Sequence, residues 1–192
     1  LLKTNLAQLE QRTIDYDLLI EDKRYLESVL GRAGSEPSLV VARVLAGPHQ
    51  TPEEILIIDR GLKNTTTPFH AGDLVTAEGT IALGKIESVG ARTSQVKLFS
   101  APGTEISVRI GLEQLPAVAQ GRGGGNFIVT LPRGLLVNEG ALVTMSTPER
   151  DLVIGEVSAV DRDPEGTLQN LLIRFPVNLI ELKHVEINLN ER

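Results

Sequence analysis

The chain has 192 residues, of which 41% are hydrophobic, 3% aromatic and none cysteine or tryptophan, and its formal net charge is −6. Its length fits one large domain or two small ones, and its core must be built mainly from valine, isoleucine, leucine and alanine. The lack of cysteine excludes disulfides, thiolate metal sites and thiol nucleophiles, while the negative charge and the few aromatic residues argue against nucleic-acid binding.

Residues 1–31 are predicted to form one helix, because no proline or glycine interrupts them before Gly31. Apolar residues recur on alternating three- and four-residue steps, the pattern of a coiled-coil seam, and mixed charges occupy the other faces. The residues predicted to hold a dimer together are Leu2, Leu6, Leu9, Tyr16, Leu19, Ile20, Leu26 and Leu30. Polar residues in the seam, such as Thr13, predict a weak dimer, and the alternative is an amphipathic helix packed on its own domain.

The sequence begins with Leu1 inside this helical pattern, so we expect it to be a fragment of a longer protein. No apolar run approaches the roughly 20 residues that cross a bilayer, and no signal peptide is visible. Residues 32–38 are predicted to be a linker, because Gly34 permits a left-handed backbone and Pro37 cannot continue a helix.

From residue 39 onward, short apolar runs alternate with turn signals and no helical pattern separates them. This arrangement is typical of small antiparallel sandwiches or barrels. The predicted fold is therefore mainly β: an N-terminal coiled-coil helix followed by two small antiparallel β-barrel or sandwich domains. We expect a first β lobe with the inter-lobe connection at residues 39–131 and a second lobe at residues 132–192, with strands that could be exchanged between them.

An internal repeat supports the prediction of two similar lobes. The motif Gly-x-Leu-Val-Thr occurs at residues 72–76 and again at residues 140–144. Each copy precedes an apolar strand that carries Gly-Lys-Ile at 84–86 or Gly-Glu-Val at 155–157. Because a third apolar run follows in both copies, the repeat has the size of a supersecondary unit, and two copies predict two lobes rather than a solenoid.

Two motifs resemble catalytic or nucleotide-binding signatures but lack the required context. The glycine run at 121–126 has Asn126 where a dinucleotide fingerprint needs glycine, and a strand-like run follows it instead of a helix. Ser94 and Lys97 match Ser-x-x-Lys, but on a strand an odd separation places two side chains on opposite faces. We interpret the glycine run as a hairpin or inter-strand loop and Ser94 and Lys97 as strand residues.

No catalytic, cofactor-binding or metal site is predicted from the remaining polar residues. The histidines stand alone in the sequence, without a second histidine or a carboxylate at metal-ligand spacing; they are His49, His70 and His184. A hydrolase with dispersed carboxylates would need strongly raised pKa values on two neighbouring acids in a cleft. The residues by themselves thus predict two β lobes on a helix that act by binding.

Taken together, several short segments resemble those of MreC, the bacterial rod-shape-determining family, through their joint order and spacing. The helical pattern comes first, and the Gly-x-Leu-Val-Thr copies and the Gly-Lys-Ile and Gly-Glu-Val strands follow in the expected order. The segments that carry the resemblance are 40–44, 57–61, 71–75, 84–86, 93–96, 100–103, 106–109, 138–144 and 154–157.

This resemblance implies a scaffold and not an enzyme, with two β-barrel-like domains and dimerisation through the helix. It implies a transmembrane helix upstream of Leu1 and a location in the periplasm, or on the extracytoplasmic side of the membrane. The implied partners are a cell-wall transpeptidase, a glycosyltransferase, a polytopic membrane protein and, across the membrane, the actin-like filament; self-assembly into filaments is also implied. We expect exposed strand edges and loop residues such as Leu62 and Phe69 to contact partners.

A different class of protein also joins coiled helices to small β domains. Periplasmic adaptors of efflux or secretion pumps do so by inserting a helical hairpin between the halves of a lipoyl-like domain. A second long helix would be needed, and after Gly31 the sequence predicts none. The sequence thus favours the cell-shape scaffold, and the adaptor is kept as the alternative.

Overall fold

The computed structural model describes residues 39–48, 54–65, 67–162 and 166–189. The regular elements in these ranges are strands, and no α-helix occurs among them. The strands are β1 (Leu39–Ala46), β2 (Ile55–Ile58), β3 (Leu74–Ala77), β4 (Ile81–Val89), β5 (Ser94–Leu98), β6 (Glu105–Ile110), β7 (Leu115–Gly123), β8 (Asn126–Pro132), β9 (Leu142–Ser146), β10 (Asp151–Arg162), β11 (Leu168–Arg174) and β12 (His184–Asn188). The prediction of a mainly β protein is confirmed, whereas the predicted helix at 1–31 and linker at 32–38 lie outside the described residues.

Within the described residues, the strands form two closed rings of six. The first barrel has the order β3-β4-β5-β2-β1-β12, and β12 closes the ring by pairing with β3. The second barrel has the order β9-β10-β11-β8-β7-β6, and β6 closes it by pairing with β9. Neighbours within each ring are antiparallel. The barrels meet where β10 pairs with β4 in parallel at Val153 and Ile81.

The two rings have the same strand order but differ in how the chain enters them. β6, the first strand of the second barrel, occupies the ring position that β12, from the end of the chain, takes in the first. The second barrel is thus a continuous segment inserted between β5 and β12. The predicted lobe boundary at 131 and 132 does not coincide with this arrangement, because β6, β7 and β8 pair within the second barrel and β12 within the first.

The internal repeat corresponds to equivalent strands of the two barrels. The N–H of Gly72 donates to the carbonyl of Ile86, and the N–H of Gly140 donates to the carbonyl of Val157, each at 2.8 Å. Both glycines have positive φ, 96° and 80° respectively, which a residue with a side chain rarely adopts. The Gly-x-Leu-Val-Thr motif therefore provides the turn that leads into β3 and β9 and sets their pairing with β4 and β10.

Each barrel encloses a core of aliphatic side chains with few aromatic residues. β5 and β6 alternate strictly between buried and exposed positions, as half-buried strands do. The rings of Phe127 and Phe175 meet edge to face, with centroids 5.2 Å apart and planes at 87°. Phe127 lies on β8 and Phe175 directly follows β11, so this pair fastens the start of the connection from the second barrel back to the first.

The glycine run at residues 121–126 contributes a hydrogen bond between the two barrels. Gly123, Gly124 and Gly125 form the turn between β7 and β8 with φ values of 90°, 62° and 77°. This backbone lets the N–H of Gly124 donate to the carboxylate of Glu54, which directly precedes β2 of the first barrel. The Oγ of Ser100 donates to the other carboxylate oxygen of Glu54 at 3.0 Å. The turn resembles an anion-binding loop, and the anion that its N–H binds is the carboxylate of Glu54 in the same chain.

A second polar connection links the barrels through β12. Nη2 of Arg150, in the turn between β9 and β10, donates to Oδ1 of Asn188 at 3.0 Å. Nδ2 of Asn188 donates to Oγ1 of Thr76 at 3.0 Å, and that hydroxyl donates to Oε2 of Glu186 at 3.2 Å. Because Thr76 and Asn188 are buried, these bonds fix the register of β12 against β3.

Candidate protein-binding surface

A groove of about 520 Å³ lies at one end of the second barrel. One wall is the turn between β6 and β7, residues 111–114, and the other is the later part of the loop between β8 and β9, residues 136–138 and 140–141. Leu112, Leu136 and Leu142 line it with exposed fractions of 102%, 85% and 55%. We call this feature the leucine groove. A lone exposed leucine is ordinary, but several around one concavity mark an interaction surface.

The turn that carries Leu112 is held by its backbone and by β9. Gly111 and Gln114 have positive φ values of 66° and 53°. The N–H of Gln114 and its side-chain Nε2 both donate to the carbonyl of Gly111, at 3.2 and 3.3 Å. The N–H of Gly111 donates to the carbonyl of Leu142 at 2.9 Å. The bond to β9 keeps Leu112 close to Leu142 on the same rim.

The loop that carries Leu136 is held from beneath by two side chains. Gln169 on β11 is 1% exposed, and its Nε2 donates to the carbonyls of Pro132 and Leu135, at 3.2 and 2.5 Å. Its Oε1 accepts from Nε of Arg162 at 3.2 Å, and Nη2 of Arg162 reaches the carbonyl of Val137 at 3.5 Å. A buried amide with its donors and acceptor engaged is a rigid support.

These supports leave Leu136 between two inward-facing neighbours. Leu135 is half-buried and packs against the core, and Val137 is 6% exposed. Since both neighbours are anchored, Leu136 cannot turn inward without moving the loop. Covering an exposed leucine side chain contributes roughly 1.5–3 kcal/mol, so the leucine groove offers a partner a preformed apolar site.

The charged side chain that lines the leucine groove is a carboxylate. Glu113 lies at the tip of the β6–β7 turn and lines the groove, and Glu139 is exposed between the lining residues Asn138 and Gly140. Among the described residues that line the groove, none is lysine or arginine. Its rim therefore favours a partner with basic residues next to its apolar ones.

In the described ranges, no group of three or more histidines, cysteines or carboxylates could hold a metal ion. The same ranges contain no helix long and apolar enough to pass through a membrane. The pKa of Asp59 departs from its ordinary value and is lowered: burial raises it, but the backbone and side-chain hydrogen bonds from Arg43 and the charge of Arg60 outweigh burial. The Asp59 cluster lies at the end of β2, beside Arg43 of β1 in the first barrel, and does not line the leucine groove.

Comparison with known proteins places the double barrel in a family. A family model for the barrel core of the rod shape-determining protein MreC matches residues 44–188. This chain belongs to the MreC family. The family resemblance seen in the sequence is thereby confirmed, and no curated protein matches the chain.

Solved MreC structures share this fold at low sequence identity. MreC of Listeria monocytogenes has a TM-score of 0.74 and 20% identity, covering 99% of this chain and 97% of that chain. The major periplasmic domain of the cell shape-determining filament MreC has a TM-score of 0.57 and 16% identity, covering 82% and 100%. MreC in a complex with Penicillin-Binding Protein (PBP2) from Helicobacter pylori has a TM-score of 0.52 and 14% identity, covering 81% and 100%. At such identities the likeness establishes the fold.

The loop residues predicted to contact partners have different environments. Leu62 is 66% exposed in the turn after β2, where its N–H donates to the carbonyl of Gly90 at 3.0 Å. Phe69 is 1% exposed and belongs to the core, so the prediction that it contacts a partner is wrong. The buried carboxylate of Asp73 accepts from the N–H of His70 at 2.7 Å. That bond closes the turn after Phe69, whose side chain packs in the hydrophobic core.

The other predicted binding features also differ from the structure or lie outside it. Exposed strand edges were expected to bind partners, but the described strands close into rings, and closure pairs the edges. The eight coiled-coil residues between Leu2 and Leu30 lie outside the described residues, so the dimer interface stays a prediction. The leucine groove was missed, although Leu112 in a glycine-initiated turn and the Leu135-Leu136 pair after Gly134 were signals of apolar residues in loops.

Proposed function

We propose that this protein is a non-catalytic scaffold of the machinery that elongates the bacterial cell wall, and that it maintains rod shape by binding peptidoglycan-synthesis proteins. The observation that carries this proposal is the match of the MreC barrel core to residues 44–188. The leucine groove adds a preformed apolar surface suited to protein binding. The Helicobacter relative, whose structure is a complex with a penicillin-binding protein, supports a cell-wall transpeptidase as one partner.

The proposed location is the extracytoplasmic side of the inner membrane. The relative described as a periplasmic domain supports this location for the two barrels. An upstream transmembrane helix would anchor the chain, and the coiled-coil residues Leu2, Leu6, Leu9, Tyr16, Leu19, Ile20, Leu26 and Leu30 would pair two copies. The glycosyltransferase, the polytopic membrane protein, the actin-like filament across the membrane and assembly into filaments belong to the same proposal.

Depletion of the protein in its source bacterium tests the scaffold function. Depleted cells are expected to lose rod shape and become round, and expression of the complete protein is expected to restore them. Cross-linking in the rescued cells should capture peptidoglycan-synthesis enzymes. Cells that keep a normal rod shape without the protein would contradict the proposal. Capture of a pump component or an outer-membrane channel instead would favour the adaptor alternative, which stays a prediction.

Replacement of the predicted seam tests dimerisation. Leu6→Ser with Leu9→Ser and Leu26→Ser should shift the chain toward monomer in sedimentation equilibrium, because polar side chains at seam positions remove the apolar contact between helices. Substitution of Gln8, Gln11 and Arg24 by alanine is the matched control on the predicted outer faces. A wild-type chain that stays monomeric at high concentration would contradict the proposed weak dimer.

A further inference from the structure

We propose that the leucine groove receives an amphipathic segment of a partner protein whose apolar side chains are flanked by lysine or arginine. The inference rests on the proposed scaffold function and names the chemistry of the segment that the scaffold recognises. Its basis is an apolar centre, a rigid frame and a negative rim found at one end of the second barrel.

The apolar centre has the dimensions and composition of a docking site for side chains. The leucine groove encloses about 520 Å³, and Leu112 and Leu136 extend from opposite walls with 102% and 85% of their surface exposed. Ile110 and Val137, both buried, form part of its floor. Leucine-sized side chains of an amphipathic segment can fill such a groove in the way that a helix docks into an apolar cleft.

The rigid frame distinguishes the leucine groove from incidental exposure of apolar side chains. Gln169 and Arg162 engage the carbonyls of the loop, and Gly111 ties the turn to Leu142. A backbone held in place before binding loses less conformational freedom when a partner arrives. Elsewhere on this barrel, Leu168 and Leu172 are exposed on the outer face of β11 and do not line the leucine groove.

The negative rim selects among the possible occupants. Glu113 lines the groove, Glu139 is exposed between two lining residues, and no described lining residue carries a positive charge, although Arg162 bonds the carbonyl of Val137 from β10. An anionic lipid surface would be repelled by these carboxylates. A second copy seated symmetrically on the groove would bring the same carboxylates against each other. A protein segment with basic flanks meets both the apolar centre and the rim.

Peptide binding to the complete 192-residue chain tests the proposal. The probe is an amphipathic peptide of about 16 residues with leucines spaced i, i+3, i+4 and i+7 and lysines at both ends. The control peptide carries glutamates in place of the lysines. Fluorescence anisotropy is expected to give about tenfold tighter binding of the lysine peptide. Equal affinity for both peptides, or no binding of either, would overturn the inference.

Matched variants locate the binding. Leu112→Ser with Leu136→Ser should weaken binding of the lysine peptide about tenfold or more, while Leu168→Ser should leave it unchanged. Glu113→Lys with Glu139→Lys should invert the preference between the peptides, and Glu87→Lys on the first barrel should not. Unchanged thermal unfolding of each variant establishes that the barrel is intact. Equal effects of groove and control variants would place the peptide elsewhere and refute the assignment.

A second measurement separates this inference from the scaffold function. The extracytoplasmic part of the elongation transpeptidase from the same bacterium is titrated against the wild-type chain and the Leu112→Ser, Leu136→Ser variant. If the wild-type chain and the variant bind the transpeptidase equally, the role of the groove is refuted and the scaffold function is left intact. Loss of self-association or of binding to anionic vesicles in the variant, with transpeptidase binding unchanged, would identify a second copy or a membrane as the occupant and overturn the inference.

Discussion

Gly84 on β4 and Gly155 on β10 occupy equivalent positions in the two barrels. A Cβ at Gly84 would collide with the carbonyl oxygen of Lys97, and one at Gly155 would lie 2.6 Å from the carbonyl oxygen of Arg174. The colliding atoms belong to the backbone of the paired strand, which cannot move aside without breaking the ladder. Close approach of two strands therefore requires glycine at both sites.

Replacement of these glycines by alanine should destabilise the protein through that collision. We expect Gly84→Ala to lower the free energy of unfolding by about 2–4 kcal/mol, with a similar direction for Gly155→Ala. Chemical denaturation followed by circular dichroism provides the measurement. Gly134→Ala is the control, because a Cβ there meets nothing within 4 Å. A Gly84 variant as stable as the Gly134 variant would refute the close-approach argument.

Asp59, directly after β2, stabilises the pairing of β2 with β1 in its charged form. Its Oδ1 accepts from the backbone N–H of Arg43 at 2.7 Å, and its Oδ2 accepts from Nε of Arg43 at 3.3 Å. Nη1 of Arg60 lies 3.7 Å from Oδ1. Although burial alone would raise it, the pKa of Asp59 in the folded chain is lowered from its ordinary value of 3.8 by these contacts. Folding thus favours the carboxylate over the acid.

The pH dependence of stability should report this preference. Because the folded pKa is lowered, the contribution of Asp59 is fully present above its unfolded pKa of 3.8 and is lost as the pH falls through the folded pKa. Asp59→Asn should lower the free energy of unfolding by about 1 kcal/mol at neutral pH. This difference from wild type should vanish at a pH below the folded pKa of Asp59. Glu87→Gln serves as the exposed control, and a difference that persists unchanged in acid would contradict the assignment.

Among the elements, the loop between β8 and β9 is held by side chains of two neighbouring strands, chiefly by Gln169 of β11. Gln169 on β11 holds the carbonyls of Pro132 and Leu135 and accepts from Arg162. Loops are ordinarily the most mobile parts of a fold. Here the buried amide adds two hydrogen bonds from β11 to the start of this loop.

Truncation of Gln169 should therefore loosen this loop. We expect Gln169→Ala to lower the free energy of unfolding by about 1–3 kcal/mol, since the carbonyls of Pro132 and Leu135 lose their bonds to the buried amide. Hydrogen exchange should rise in residues 133–141 more than in β11 itself. Gln120→Ala removes an exposed amide bonded to Glu105 and should have little effect. Unchanged exchange in the loop of the Gln169 variant would show that other contacts hold it.

At the scale of the whole molecule, the second barrel is a continuous insertion and the first is completed by the end of the chain. β12 pairs with β1 through residues such as Val185 and Ala42 and with β3 through Ile187 and Val75. Without β12 the first ring would be open and two strands would have unpaired edges. The two barrels should thus differ in their ability to fold alone.

Excision of the barrels tests this difference. Residues 99–180 contain β6 to β11 with the Phe127–Phe175 contact and should fold alone, giving dispersed amide resonances in NMR spectra. Residues 39–98, which lack β12, should remain unfolded. Joining residues 183–189 ahead of Leu39 by a short turn restores the strand order of the second barrel and should restore folding. Residues 39–98 that fold without β12 would contradict the closure argument.

Several features follow from local sequence. Alternation at Ile106, Val108 and Ile110 identifies β6 because side chains on a strand point alternately to its two faces. The repeated Gly-x-Leu-Val-Thr motif predicts two similar units because the same turn geometry recurs at Gly72 and Gly140. These signals involve residues close together in the chain, and for that reason the mainly β fold could be read without coordinates.

The strands, the turns and the duplication could be predicted from the residues, since each depends on side-chain periodicity and backbone freedom over a few positions. The closure of the first barrel by β12, the burial of Phe69 and the exposure of Leu112 and Leu136 could not. Those outcomes depend on pairings between distant segments, as between Val185 and Ala42. Ring closure sets which way each loop residue points. The residues next to a leucine in the sequence do not show whether it points into the core or toward solvent.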